Sequence, residues 1–195
     1  EQITYGEIPQ DVADANIAFI IKAVNAHDSL VAEEPEQVIT HKSTGRRTRI
    51  SDEEFYEAVM QVDAEVAKQL PGFFQRCEEI GLAITPTGNS MILNFFDEQG
   101  DKVNLGTISK EATLDTNYVC EQTERAGDIK IGEQYLDAVA SLVPGSAGVK
   151  QGRPWTWRVR KDGRAVPIAM LLAKTENWLS ALEKAVTEVR ALGAQ

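Results

Sequence analysis

A chain of 195 residues is long enough for one core of ordinary size, or for one domain with an arm. Its residues are 43% hydrophobic and 26% charged, a balance that excludes disordered and membrane-embedded chains. The net charge of −10 argues against nucleic-acid binding over the whole surface, and no run of about 18 apolar residues is present to span a bilayer.

Residues 1–50 are read as an N-terminal helix and linker arm. Gln10–Asn25 carries Val12, Ile17, Phe19, Ile20, Ile21 and Val24, a wide apolar stripe with Asp11 and Asp14 in the first turn. So wide a stripe is expected to bury against the domain or against a second copy of the chain. Residues 26–50 lack clear periodicity, apart from a short extended piece at Gln37–Thr40. The sequence opens on Glu1 with no signal peptide ahead of it, and is read as a trimmed or processed piece of a longer protein.

Residues 51–195 are read as a single α+β domain. Ser51-Asp52-Glu53-Glu54 is a capping box, and Phe55, Val59, Val62, Val66 and Leu70 then recur at helical spacing to about Gln69. Pro71-Gly72 should break that helix, with a second one over Phe73–Ile80 stopped by Gly81. Ser90–Thr116 reads as three short strands in a meander. Met91, Leu93 and Phe95 share one face, and Val103, Leu105 and Thr107 are expected opposite Asn104, Gly106 and Ile108. Gly106 marks either a bulge, the reading preferred here, or a close ligand approach. The expected architecture is an antiparallel meander of three to five strands packed against several helices, with Leu93, Phe95, Val103 and Leu105 beneath the helix carrying Phe55, Val59 and Val62.

Beyond the meander, helices are expected at Tyr118–Arg125 and Gly132–Val143, then a glycine-containing loop at Ser146–Gly152. Pro154–Arg160 reads as a strand, with an Asp162-Gly163 turn signal after it. Pro167 suits the first position of a helix, and Thr175 is placed to restart it. Cys77 and Cys120 lie 43 positions apart without metal spacing. They are read as free core thiols of a reducing, cytoplasmic compartment, with one disulfide as the alternative.

The basic residues are uneven. Lys42, Arg46, Arg47 and Arg49 form one cluster, and Lys150, Arg153, Arg158, Arg160, Lys161 and Arg164 another; together they hold ten of the twenty Lys and Arg. The second cluster also contains Trp155 and Trp157. In a strand these two would share a face with Val159, and Arg158 and Arg160 would take the other. Phosphates take up such charge and unpaired bases stack on such rings, so Arg153, Trp155, Trp157, Arg158, Arg160 and Lys161 are the candidate binding residues. The competing reading is structural: tryptophans in the core and arginines on a solvated face.

A catalytic alternative comes from Asp115 and Asp128-Ile129-Lys130. One carboxylate followed by D-x-K on a neighbouring strand resembles the PD-(D/E)XK nuclease motif. That resemblance implies two carboxylates holding a magnesium ion and a lysine positioning water at the phosphate. No proline precedes Asp115, and Asp128 follows Gly127. No G-x-S-x-G elbow, Walker loop, dinucleotide fingerprint or C-x-x-C is present, and His27 and His41 lie in the arm and linker. The expected function is therefore a non-catalytic binding or accessory module of a larger protein, without cofactor. It would contact nucleic acid or an acidic protein partner through the basic-aromatic strand, and could self-associate through the N-terminal helix.

Overall fold

The computed structural model describes residues 49–97 and 100–193. The stripe at Gln10–Asn25, the piece at Gln37–Thr40, both histidines and the basic residues Lys42, Arg46 and Arg47 lie outside the described residues.

Helix α1 (Asp52–Val62) starts at the capping box. Ser51 Oγ accepts from the Glu54 amide at 3.2 Å, and Glu54 Oε2 accepts from the Ser51 amide at 3.0 Å. The helix expected to reach Gln69 is instead two. Asp63 leaves helical geometry, with ψ of 104°, and its carboxylate accepts from the amides of Glu65 and Val66 at 3.0 and 3.1 Å. It thereby caps α2 (Ala64–Glu79). Pro71 lies inside α2 rather than ending it. An interior proline costs about 3 kcal/mol. The face carrying Val66, Leu70, Phe73, Phe74 and Cys77 is buried, and each large side chain there returns about 1.5–3 kcal/mol.

The meander forms as expected from β2 (Ser90–Phe96), β3 (Lys102–Ser109) and β4 (Thr113–Asp115). β1 (Leu82–Pro86) adds to β2 and β7 (Val166–Pro167) to β4, giving an antiparallel sheet of order β1-β2-β3-β4-β7. Leu93 pairs with Gly106 while Asn94 pairs with Asn104, so Leu105 is an extra residue and Gly106 sits in a β-bulge. The bulge corrects the expected face of β3. Past it the alternation is inverted, so Ile108 is fully buried and Thr107 only half-buried.

Leu93, Phe95, Val103 and Leu105 are all buried. Phe55 and Val59 of α1 and the inward face of α2 share one buried core with these strand residues, with Phe55 against Phe74; Val62, at the end of α1, is 58% exposed. Helix α3 (Val119–Ala126) runs beside β3 beyond the short β4, where Gln122 Oε1 accepts from the Asn104 amide. It covers a strand edge that would otherwise present unpaired backbone. Helix α4 (Ile129–Leu142) crosses α3, and β5 (Ser146–Val149) with β6 (Arg158–Lys161) forms a separate antiparallel hairpin against α4. The loop expected at Ser146–Gly152 is thus partly strand. Helices α5 (Ile168–Leu172) and α6 (Thr175–Gly193) complete an α+β fold of six helices among the described residues. Trp178 of α6 stacks on Phe73 at 4.3 Å and donates its Nε1–H to Tyr135 Oη at 3.1 Å. Cys77 and Cys120 are both free and buried. No described helix is long and apolar enough to cross a membrane.

Candidate binding surface

The connection from β5 to β6 is not a continuous strand from Pro154. Pro154–Thr156 forms a single 3-10 turn, and β6 begins only at Arg158. The local chemistry explains the turn. Gly152 takes a φ of +77°, Pro154 fixes the φ of the first turn residue, and Thr156 Oγ1 donates to the carbonyls of Gln151 and Arg153 at 2.7 and 2.9 Å. The turn separates the two tryptophans that the sequence placed on one face. Trp157 turns inward, packs at the margin of the core and donates Nε1–H to the Gly152 carbonyl at 3.3 Å. Trp155 remains 36% exposed, with the Arg153 guanidinium 4.9 Å from its ring centroid.

Within β6, Val159 is buried, while Arg158 and Arg160 point to the face opposite it. On the Val159 side the hairpin meets α4, where Lys150 pairs with Asp137 at 3.0 Å and Ser146 Oγ donates to the Ala140 carbonyl at 2.8 Å. Lys161 is drawn to Asp162 at 3.1 Å. The turn after it follows the Asp-Gly expectation, with φ of 51° and 76° at Asp162 and Gly163 and paired backbone hydrogen bonds between Lys161 and Arg164, each 3.0 Å. Arg153, Arg158, Arg160 and Arg164 form no ion pair among the described residues.

Four consecutive residues, from Asp115 at the end of β4 to Tyr118, hold the hairpin in place, and three of them escaped the sequence reading. Asp115 accepts from the amide and Nδ2 of Asn117 at 2.9 and 3.0 Å, and Asn117 Oδ1 accepts from Arg158 Nη1 at 3.5 Å. Thr116 Oγ1 accepts from the Val159 amide at 2.8 Å. The Tyr118 amide donates to the Trp155 carbonyl at 3.3 Å. Arg158 Nε is enclosed without a partner among the described residues. The signal for this segment was present: Asp-x-Asn is a side-chain-stabilised turn pattern, and its presence before a helix places the next residue at a corner.

The residues of the nuclease alternative sit at two different kinds of element end. Asp115 ends β4 with its carboxylate engaged by Asn117. Asp128-Ile129-Lys130 is the start of α4 rather than a strand: Asp128 is the helix cap and accepts from the Lys130 amide at 2.8 Å. The strand context that the resemblance implies is therefore absent at Asp128. No cluster of three or more His, Cys, Asp and Glu able to hold a metal occurs among the described residues. A groove of about 480 Å³ opens between the β2–β3 turn and α3, lined by Asp97, Asp101, Lys102, Gln122 and Arg125. Its charges are mixed, Arg125 is paired to Glu121 at 2.6 Å, and it shares no residue with the hairpin. No protein-family model, curated protein or solved structure matches the chain.

Proposed function

We propose that the chain is a non-catalytic binding module whose β5–β6 hairpin engages single-stranded nucleic acid. The observation that carries this reading is Trp155: a large ring more than a third exposed, overlaid by the Arg153 guanidinium, in a segment with six basic residues against one acid. A buried tryptophan would be explained by the core alone. A partly exposed ring beside a guanidinium, on a segment that carries further arginines, suits a base stacked on the π-face and phosphates taken by Arg153, Arg158 and Arg160. The net charge of −10 weakens attraction at long range, so binding depends on close contacts made within about a Debye length, ~10 Å in 0.1 M salt.

The test is a titration of fluorescent single-stranded and duplex oligonucleotides at several salt concentrations. Single strands are expected to bind more tightly than duplex, and log affinity is expected to fall linearly with log salt. Changing Arg158 and Arg160 together to Ala should flatten that slope by about 1–2 units, since each lost phosphate contact removes roughly 0.7 for a single strand. Absence of binding at low salt overturns the nucleic-acid reading and leaves an acidic protein segment as the partner to be sought.

A further inference from the structure

We infer that Tyr118 is a second stacking residue of this surface, so that the strand lays one base on Trp155 and another on Tyr118. The inference rests on the hairpin reading above and specifies how the ligand lies there.

Tyr118 is 49% exposed and has a φ of +71°, in the left-handed region. A bulky L-residue adopts that conformation at a cost in stability, and glycine or asparagine would hold it more cheaply. Tyr118 stands at the cap position of α3, yet its side chain caps no amide, and its ring stacks on no aromatic ring among the described residues. Its amide is bonded to the Trp155 carbonyl at 3.3 Å, so the two exposed rings are tied through one backbone hydrogen bond. Thr116 to Val159 and Asn117 to Arg158 are two further ties between the same segments. The backbone that carries both rings is therefore fixed before the ligand arrives, which lowers the entropy cost of ordering the site on binding. Arg158 belongs to the same connection, and a guanidinium there suits the phosphate between two stacked bases. A strand of nucleotides offers flat faces and charges in alternation. An acidic peptide offers the charges without the repeated faces.

The decisive variant is Tyr118→Gly in the 195-residue chain. Its thermal midpoint is expected to stay level or rise, because glycine relieves the left-handed strain. Its affinity for a labelled oligothymidylate of about twelve nucleotides at low salt should fall by about tenfold. Tyr118→Phe, which keeps the π-face, should bind like the parent. If Tyr118→Gly binds as the parent does while the Arg158 and Arg160 double variant is weakened, the ring is no contact and this inference fails, with the hairpin reading intact. A lowered thermal midpoint for Tyr118→Gly makes the ring a structural prop and also overturns it. Equal loss in Tyr118→Phe and Tyr118→Gly assigns the effect to the hydroxyl and refutes stacking. A parent chain that binds no single strand at low salt removes both readings together.

Discussion

Leu93, at the centre of β2, is fully buried where β1 and the bulge of β3 flank it. Truncation to Ala loses the transfer energy of the removed carbons and leaves a cavity that a three-strand contact cannot collapse. Leu93→Ala should cost about 2–5 kcal/mol, read from chemical unfolding midpoints. The two tryptophans of the hairpin divide along the same line. Trp157→Ala should lower stability, because that ring packs against the core margin and holds the Gly152 carbonyl. Trp155→Ala should leave the unfolding midpoint nearly unchanged and weaken single-strand binding by about 1–3 kcal/mol. Equal destabilisation by both would place Trp155 in the core and remove the stacking surface. Sequence alone could not separate them: alternation gives both rings the same face, and only the turn-forming contacts of Pro154 and Thr156 break the period.

Among elements, the crossing of α3 over α4 is set by one glycine. A Cβ placed on Gly132 would lie 2.5 Å from Thr123 Oγ1 and 2.8 Å from the Cα of Cys120, closer than packed atoms allow. Gly132→Ala gains about 1 kcal/mol of helix propensity. It must also push two backbones apart, at a typical cost of about 1–3 kcal/mol. The strain should win, so the variant is expected to unfold at lower denaturant than the parent despite its better helix former. Because Tyr118 leads directly into α3, the same variant should also perturb single-strand affinity. The element map was largely legible where a local code spoke. The capping box, the three meander strands and the Asp-Gly turn are chemistry confined to a few neighbouring residues. It failed where a long-range contact outweighed a local preference. Pro71 stays helical because its helix buries a broad face, and Ile108 faces inward because a bulge two residues earlier shifts the count. The hairpin was half legible: its charges and rings are compositional, but the β4–α3 corner that fixes them is assembled across about 40 residues of sequence.

At the scale of the whole molecule, the core holds several acids that ionise only at high pH. Burial pushes the thiols of Cys77 and Cys120 from about 9.0 up to about 12, and nearby Glu78 and Glu133 add to the respective shifts. Burial, with the carboxylates of Asp52 and Glu78, raises the Tyr56 phenol from 10.0 to about 12. Burial also raises Tyr135, whose oxygen accepts from Trp178. In the unfolded chain these groups lose their protons near their ordinary values, so above about pH 9 the unfolded state binds fewer protons than the folded one. By linkage, stability is then fully present below about pH 9 and declines as pH rises toward 12. Each thiol steepens that decline by at most about 1.4 kcal/mol per pH unit. The growing negative charge of a chain already at −10 acts in the same direction, so an alkaline decline alone does not identify its source. Cys120→Ala separates the two. It removes one titrating group from the core and leaves the surface charge as it was. It is expected to lower stability at pH 7 through the small cavity it leaves, yet to show a shallower loss between pH 9 and 12 in urea midpoints measured across that range. An unchanged slope would remove the Cys120 thiol as a source and leave the alkaline decline to the other buried groups and to surface repulsion.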